Sequence, residues 1–290
     1  MIENRFRPRR SVLYVPASNA RALEKLAQLS PDAVILDLED AVAPDEKAAA
    51  RERLAAWLGA RKPSGPEIAV RINALSTPWG PDDLAAVLAN PPDAILLPKA
   101  DTARDILDAD DAMDEADIDK TVRLWAMIET PKALLNLGAI AELGRDPAAR
   151  LACLVAGTND LAKELGVAAT PDRRFLVPFL MQMVLAARAG GFALLDGVWN
   201  DFADGEGFGR EAGEAALMGF DGKTLIHPGQ IERAKQAFTP SEEAVADARR
   251  VVDAFAQPDN AGRGVIALNG RMVERLHLQQ AERLLAKAGL

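Results

Sequence analysis

The sequence predicts an α/β protein, a (β/α)8 TIM barrel with a C-terminal helical extension. Eight short, continuously apolar runs recur up to Pro228, and stretches with helical spacing separate them. Runs buried on both faces are typical of parallel strands joined by helices. Eight such units close a barrel of about 250 residues, which leaves room for an extension in a chain of 290 residues. A doubly wound open sheet is the alternative, although it rarely has eight equal units.

Each predicted strand is a short apolar run that ends in polar or turn-forming residues. The strands are Ser11–Pro16, Ala33–Glu39, Glu67–Asn73, Ala94–Lys99, Arg123–Thr130, Leu151–Gly157, Phe192–Val198 and Lys223–Pro228. The stretches between them repeat apolar residues at the spacing that favours amphipathic helices. Such helices are predicted at Ala20–Leu29, Asp45–Leu58, Asp82–Leu88, Pro131–Leu143, Arg173–Ala189 and Gly209–Met218.

The pattern changes after the eighth strand. Two helices, a turn-rich loop, a short apolar segment and a final helix are predicted at Ile231–Phe238, Ser241–Phe255, Gln257–Gly264, Val265–Leu268 and Met272–Ala288. We therefore expect a barrel over residues 1–235 and a helical extension over residues 236–290. About fifty residues are too few for a core of their own, so the extension is expected to pack on the barrel or on a neighbouring subunit.

Composition limits the class of protein. With 34 Lys and Arg against 43 Asp and Glu, the net charge is −9, which disfavours non-specific binding to nucleic acid or anionic membranes. No apolar run approaches the ~18 residues of a membrane span. The single cysteine, Cys153, excludes an internal disulfide and fits a cytoplasmic setting. With two histidines, a metal site would rest on carboxylates, which favours Mg²⁺, with Mn²⁺ as the alternative ion.

Charged residues end several predicted strands, and in a barrel these ends meet at one mouth. The residues expected there are Asp37, Glu39, Arg71, Lys99, Glu129 and Asp160. Several acids with two cations would repel one another, and a divalent cation relieves that repulsion. Glu129 and Asp160 follow adjacent strands and form a natural pair of Mg²⁺ ligands. Asp37 and Glu39 are placed to hold waters around the ion, with Lys99 beside them. The alternative is a salt-bridged polar plug without metal.

Arg71 suits a carboxylate ligand because its planar guanidinium binds two oxygens at once. Together with a metal it would hold a 2-oxo or 2-hydroxy acid, and the metal would stabilise an enolate. This combination favours chemistry that makes or breaks a C–C bond next to a carbonyl group. The alternative is that Arg71 only neutralises Glu39 or Glu129.

A second group of residues lies near the first strand. Arg21 and Lys25 share one face of the first predicted helix, and with Tyr14 they would hold a phosphate of a nucleotide or of coenzyme A. A solvated helix face is the alternative. His227, at the end of the eighth strand, has no orienting acid beside it in the sequence and is interpreted as a packing residue rather than a general base.

Seven motifs follow one another between Arg9 and Ile231, and the likeness they carry covers nearly the whole chain: RRSVLYVPASN, DLEDAVAPDEKAAAR, VRIN, LPK, MIETP, AGTNDL and GKTLIHPGQI. With them the sequence resembles the citrate lyase β-subunit-like family of the HpcH/HpaI aldolase superfamily. That family includes citryl-CoA, malyl-CoA and citramalyl-CoA lyases and malyl-CoA thioesterases. The resemblance implies a barrel enzyme that uses Mg²⁺, takes coenzyme A as part of its substrate, and assembles as a homotrimer or hexamer.

The resemblance also implies roles for individual residues. It makes Glu129 and Asp160 the Mg²⁺ ligands and Arg71 the residue that holds the substrate's oxo acid or carboxylate. It implies that coenzyme A is contacted by Tyr14, Arg21, Lys25, Ile226 and His227. In the family, the C-terminal segment of one subunit reaches the active site of its neighbour.

The C-terminal motif departs from the family. Family members often carry an Asp in a G-x-M-I/V-D motif, where it acts as an acid or base, and this chain has GRMVE at Gly270–Glu274. The acid is kept on a side chain that is one methylene longer. A shift on the ~1 Å scale alters catalysis, so the departure leaves the substrate and the reaction open.

The leading prediction is a Mg²⁺-dependent C–C lyase for a short 3-hydroxy carboxyacyl-CoA, of the citryl-, malyl- or citramalyl-CoA type. Arg71 would orient the carboxylate and Glu274 would carry a proton. Hydrolysis of the same thioester is the second hypothesis. A metal-dependent aldolase for free oxo acids, without coenzyme A, is the third. The fourth is a non-catalytic or partner-dependent subunit of a citrate lyase complex.

Overall fold

The computed structural model describes residues 7–61, 65–260 and 262–290. Residues 1–6 of the predicted barrel region and Ala261 of the predicted loop lie outside these ranges. The chain divides into two compact units, Arg9–Ala237 and Phe238–Leu290, the latter joined by residues 7 and 8. No helix in the described ranges is long and apolar enough to cross a membrane.

The strands match the predicted apolar runs closely. They are β1 Ser11–Pro16, β2 Ala33–Asp37, β3 Glu67–Arg71, β4 Ala94–Leu97, β5 Arg123–Ile128, β6 Leu151–Ala156, β7 Ala193–Asp196, β8 Gly222–Leu225, β9 Val265–Leu268 and β10 Arg271–Glu274. The helices are α1 Ala20–Lys25, α2 Lys47–Ala60, α3 Gly80–Ala89, α4 Ala103–Glu115, α5 Pro131–Leu135, α6 Leu137–Glu142, α7 Thr158–Leu165, α8 Val177–Gly190, α9 Gly205–Met218, α10 Ile231–Phe238, α11 Glu242–Ala256 and α12 Arg275–Lys287.

The larger unit is a closed barrel. The parallel strands β1 to β8 follow one another in chain order, and β8 pairs with β1 to complete the ring. The predicted (β/α)8 barrel is therefore confirmed. Alternate side chains of each strand point inward and fill the interior, as do those of Val12, Ile35, Leu96, Trp125 and Val155.

The amino-terminal end of the barrel is closed by Arg9. Its guanidinium pairs with Glu67 at 2.7 Å and lies over the Trp125 ring, 5.0 Å from the ring centroid. The buried cation thus has both a carboxylate and an aromatic face as partners. Since this end is filled by a structural ion pair, the carboxyl ends of the strands carry the candidate site.

Several helix boundaries differ from the predictions. The helix predicted from Arg173 begins instead at Val177, because Arg173 has a left-handed backbone with φ of 50° and Pro178 occupies the first turn. The helix predicted over Pro131–Leu143 is interrupted at Asn136, which separates α5 from α6. Helices α4 and α7 complete the alternation with strands and had not been placed individually.

The smaller unit packs α11 and α12 against a two-stranded hairpin. Strands β9 and β10 are antiparallel and are joined by Asn269 and Gly270, both with positive φ, as a tight hairpin turn requires. The prediction of a helix from Met272 is wrong at its start, because Arg271–Glu274 pairs with β9 and the helix begins only afterwards. Contrary to the expectation that this segment has no core of its own, Phe255, Ile266 and Val273 form a small buried apolar cluster within it.

Candidate active site

Arg71 is the centre of the carboxyl-terminal mouth of the barrel. It ends β3 and is 7% exposed. Its Nε and Nη2 donate to the two oxygens of Asp37, which ends the neighbouring strand β2, at 2.7 and 2.6 Å. The guanidinium also lies 4.9 Å from the centroid of the Tyr14 ring. The arginine is thus held on one edge by a bidentate carboxylate and on one face by an aromatic ring.

Glu39 is the second acid on Arg71. Its Oε2 lies 2.9 Å from Arg71 Nη1, and its Oε1 accepts a hydrogen bond from Lys99 Nζ at 2.6 Å. Burial raises the pKa of Glu39, and the charges of Arg71 and Lys99 oppose that shift. Asp37, Arg71, Glu39 and Lys99 therefore form one continuous ion-pair chain across the mouth.

Glu129 follows β5 and is buried in the same mouth. Its Oε1 accepts the backbone N–H of Lys99 at 2.8 Å. Its Oε2 is buried and has no hydrogen-bond partner among the residues that the structure describes. Burial, and then the nearby Glu39 charge, raise the pKa of Glu129 to about 7. A buried carboxylate oxygen without a partner is costly, so this oxygen calls for a cation or a proton.

The start of helix α7 lies directly against Glu129. A methyl group on Gly157, the residue before the helix, would lie 2.6 Å from Glu129 Oε2. Only glycine leaves that oxygen room. Asp160 stands in the first turn of α7 and is partly exposed. Glu129 Oε2 therefore lies against Gly157, and Asp160 follows Gly157 in the first turn of α7.

This arrangement fits a hard divalent ion that keeps several waters. The described residues contain no group of three or more His, Cys, Asp or Glu arranged around a metal position. Mg²⁺ is usually held by one or two carboxylates plus water and substrate oxygens, so two acids suffice for it. The unpartnered Oε2 and the space left at Gly157 both agree with such an ion. Glu129 and Asp160 are the residues that could hold it.

Further residues hold the loop after β2 that carries Glu39. Lys47 Nζ donates to the carbonyl oxygens of Leu38 and Glu39 at 2.9 and 3.0 Å. Asn73 Nδ2 donates to Leu38 O at 2.9 Å and to Asp83 at 2.6 Å. Lys47, Asn73 and Asp83 were not among the predicted site residues. Lys47 lies in the DLEDAVAPDEKAAAR motif and Asn73 lies in the VRIN motif. Their place in these motifs is the feature of the sequence that could have identified them.

The predicted group of Tyr14, Arg21 and Lys25 is not held together as one cluster. The Tyr14 ring belongs to the Arg71 group, and its hydroxyl donates to Met127 Sδ at 3.9 Å. Burial raises the pKa of Tyr14. Arg21 and Lys25 are exposed on α1 and make no hydrogen bond or ion pair with any residue that the structure describes. They are available cations on the surface rather than part of the buried mouth.

The loop after β8 carries the other two residues implied for coenzyme A. Ile226 is 41% exposed, and the exposed His227 ring stacks on Phe202 with centroids 5.2 Å apart. Nδ1 of His227 accepts the N–H of Gly229 at 3.0 Å. Phe202 and His227 line a cavity of about 270 Å³ with Arg233. Phe202 was not among the predicted site residues, because nothing in the sequence marks a single aromatic residue as a stacking partner.

Glu274 belongs to the smaller unit. It is the last residue of β10, opposite Val265, and precedes the first residue of α12. Its backbone N–H donates to His277 Nδ1 at 2.9 Å. The acid therefore lies between the hairpin and α12. The sequence had predicted that it lies inside a helix.

Fold and site together define a barrel protein whose catalytic-type residues lie at the carboxyl ends of the strands, with buried acids around one arginine. Its sequence matches the family described as HpcH/HpaI aldolase/citrate lyase over residues 10–228. The chain belongs to this family, as its motifs had indicated.

Relatives with known names agree with this assignment but differ in reaction. The chain is 45% identical to a (3S)-malyl-CoA thioesterase of Cereibacter sphaeroides, over 97% of this chain and 95% of the relative. It is 34% identical to citrate lyase subunit beta of Escherichia coli, over 99% and 96% of the two chains. It is 31% identical to the mitochondrial citramalyl-CoA lyase of Rattus norvegicus, over 98% and 87%.

A solved structure shows the same architecture. The protein CitE from Mycobacterium tuberculosis, in complex with magnesium, acetoacetate and coenzyme A, matches with a TM-score of 0.74 and 34% identity. The match extends over 98% of each chain. Another structure, of the citrate lyase beta subunit from the same organism, contains oxaloacetate and magnesium and matches with a TM-score of 0.67, over 80% of this chain and 98% of that one.

Proposed function

We propose that this chain is a Mg²⁺-dependent enzyme that acts on short 3-hydroxy carboxyacyl thioesters of coenzyme A, of the malyl-CoA type. The observation that carries the proposal is Oε2 of Glu129, which is buried without a hydrogen-bond partner among the described residues and lies against Gly157, just before the α7 turn that bears Asp160. Glu129 and Asp160 would hold the ion. A bound Mg²⁺ supplies Lewis-acid polarisation of a carbonyl oxygen and stabilises developing negative charge there.

Arg71 binds the substrate's free carboxylate in this proposal. A guanidinium has five N–H groups, and Asp37 takes only two of those on Arg71. The Nη1 side is shared with Glu39, whose charge is shared in turn with Lys99. Nη1 also donates to Met127 Sδ at 3.7 Å, so the arginine is fixed in place from within the protein, and the second N–H of Nη2 is the donor that the described residues leave for an incoming acid.

Coenzyme A would be bound outside the buried mouth. The unpaired cations Arg21 and Lys25 on α1 suit its phosphates, and the exposed Ile226 and His227 offer an apolar edge and a ring. This assignment is supported by the structural neighbour that contains coenzyme A and by the exposure of these four side chains.

Two reactions of such a thioester are candidates. In hydrolysis, water adds to the thioester carbon, the C–S bond breaks, and the thiolate of coenzyme A takes a proton. In C–C cleavage, the 3-hydroxyl loses its proton, the C2–C3 bond breaks, and the acyl-CoA enolate takes a proton at carbon. Either route needs a group that moves one proton, and Glu274 is the residue we assign to it.

We place hydrolysis first, because the thioesterase relative is 45% identical over nearly its whole length. C–C cleavage, the leading prediction from the sequence, is second and is favoured by lyase relatives at 34% and 31% identity. Both reactions use the same bound substrate, so the assignment of Glu129, Asp160 and Arg71 does not depend on the choice.

Product analysis separates the two reactions. The purified chain, with Mg²⁺ and (3S)-malyl-CoA, should release malate and free coenzyme A if it is a thioesterase. It should release glyoxylate and acetyl-CoA if it is a lyase. Free malate and free oxo acids serve as control substrates. An unchanged thioester in the presence of the purified chain alone would contradict the proposal and would favour a subunit that needs a partner.

A further inference from the structure

Lys99 combines an unusual backbone with two contacts to acids. It follows β4 directly after Pro98 and has φ of 48°, in the left-handed region that L residues other than Asn and Asp seldom adopt. Its backbone N–H donates to Glu129 Oε1 at 2.8 Å, and its Nζ donates to Glu39 Oε1 at 2.6 Å. A single residue therefore contacts two different carboxylates of the mouth.

The two contacts and the backbone angle are linked by geometry. Rotation about the N–Cα bond, which φ measures, sets the angle between the N–H bond of a residue and its side chain. At Lys99 this rotation directs the N–H to Glu129 while the side chain runs to Glu39. In a helical or extended conformation the N–H would make a different angle with the side chain, so the two contacts would not share the present geometry.

The two contacts of Lys99 determine which carboxylate oxygens of Glu129 and Glu39 are left for other partners. Since Oε1 of Glu129 is taken by the Lys99 N–H, Oε2 is the oxygen that remains for an ion. Since Oε1 of Glu39 is taken by the ammonium, Glu39 presents only Oε2 to Arg71. The Lys99 side chain is 41% exposed, so it borders the space that an anionic substrate would enter.

We infer that Lys99 is a positioning residue with two separable parts: its left-handed backbone orients Glu129 for the metal, and its ammonium restrains Glu39 so that Arg71 stays available to the substrate carboxylate. This inference rests on the proposed function. It assigns no proton transfer to Lys99. The backbone part predicts an effect on Mg²⁺ affinity, and the ammonium part predicts an effect on substrate affinity.

Three substitutions separate these parts. Lys99→Gly removes the ammonium but tolerates the left-handed backbone without strain. Lys99→Ala also removes the ammonium. Alanine is strained in the left-handed conformation, and this variant lacks the ion pair to Glu39 that helps to hold that conformation. Lys99→Arg keeps the charge. Asp117 provides a matched control. It is exposed in the turn after α4, has φ of 52°, and is distant in sequence from the residues of the mouth. The control variants are Asp117→Gly and Asp117→Ala.

Calorimetry with Mg²⁺ tests the backbone part. We expect Lys99→Gly to bind Mg²⁺ within about threefold of wild type, and Lys99→Ala to bind about tenfold more weakly, the size of a left-handed backbone penalty. The Asp117 pair should differ in melting temperature but not in Mg²⁺ affinity. Equal Mg²⁺ affinities for Lys99→Gly and Lys99→Ala would overturn the backbone part.

Steady-state kinetics with (3S)-malyl-CoA tests the ammonium part. Lys99→Gly should raise KM about tenfold or more while kcat changes less, and Lys99→Arg should restore KM toward the wild-type value. An unchanged KM in Lys99→Gly would overturn this part. If wild type itself binds no Mg²⁺ or turns over no thioester, the proposed function fails instead, so the two failures are distinguishable.

Discussion

Arg71 and Asp37 form a bidentate pair, with Nε and Nη2 of the arginine 2.7 and 2.6 Å from the two carboxylate oxygens. Both residues end neighbouring strands, and their strands pair directly at these positions. The orientation of the guanidinium is therefore set by the barrel before any substrate arrives. A salt-bridged plug was the alternative to a binding role, and the ion pairs of Arg71 with Asp37 and Glu39 agree with either one.

Replacement of Asp37 by Asn should misorient Arg71. An amide can accept at one oxygen only, and its NH₂ group faces a donor, so one of the two hydrogen bonds is lost. We expect kcat/KM to fall about 100-fold, as a displacement on the ~1 Å scale does in an active site. Asp40→Asn is the control, because Asp40 is 62% exposed and lies 3.6 Å from Arg71. Similar losses in both variants would show that only total charge matters.

A methyl group at Gly157 should disturb the candidate metal site. The added carbon would lie 2.6 Å from Glu129 Oε2, so the carboxylate has to move. We expect Gly157→Ala to weaken Mg²⁺ binding at least about tenfold, as measured by calorimetry. Gly213→Ala in α9 is the control, since nothing lies within 4 Å of the added carbon there. That control should raise stability by about 0.5–1 kcal/mol and leave Mg²⁺ affinity unchanged.

Mg²⁺ affinity should depend on pH through Glu129. Burial, with the nearby Glu39 charge, raises the pKa of this carboxyl from its ordinary 4.5 to about 7, so below neutrality a proton competes with the ion. Affinity should increase as pH rises from about 6 to about 8 and level off above that. Glu129→Gln should abolish binding at every pH. A flat affinity profile for wild type would contradict the assigned role.

The same carboxyl should affect the stability of the metal-free protein. Its pKa is raised on folding, so its contribution to stability is fully present below about 4.5 and is lost as pH rises through about 7. The melting temperature of metal-free protein should therefore fall over this range by more in wild type than in Glu129→Gln. Addition of Mg²⁺ near pH 8 should recover the loss in wild type alone.

Glu274 should act on turnover rather than on metal binding. It ends β10 in the smaller unit, away from the acids of the barrel in sequence. Glu274→Gln should lower kcat at least about 100-fold and leave Mg²⁺ affinity unchanged, because the amide keeps the shape and loses the proton chemistry. Glu282→Gln, on the exposed side of α12, is the control.

A mixing experiment tests whether Glu274 serves a neighbouring subunit. Oligomers formed from Glu274→Gln and Arg71→Ala subunits should regain activity, since some mixed sites carry both intact residues. Mass spectrometry verifies that mixed oligomers have formed. Mixed oligomers no more active than either parent would exclude a shared site.

The barrel could be predicted from the sequence because each strand is buried on both faces. A strand buried in this way is a continuous run of mainly apolar residues. Helix starts were predicted less accurately because they depend on single residues. Pro178 sets the start of α8. The turn at Asn269 and Gly270 lets Arg271–Glu274 pair with β9, so α12 begins later than predicted. Position at a strand end was enough to bring Arg71, Glu129 and their neighbours together.

The contacts within the mouth could not be predicted in the same way. The choice of Asp37 as bidentate partner of Arg71 depends on side-chain torsions and on strand register. The left-handed backbone of Lys99 has no sequence signature, because lysine is not a residue that favours it. The close approach of Gly157 to Glu129 likewise follows from how β5 and β6 pair, since the N–H of Gly157 donates to Ile128 O at 3.1 Å.

The most direct test of the central claim is the Mg²⁺ dependence of (3S)-malyl-CoA turnover in wild type, Glu129→Gln and Asp160→Asn. We expect wild type to consume the thioester with Mg²⁺ and to stop when the ion is chelated. Both variants should remain folded, show no Mg²⁺ binding by calorimetry, and turn over at the metal-free rate. Undiminished Mg²⁺ affinity or turnover in either variant would contradict the assignment of Glu129 and Asp160 as the metal-binding pair.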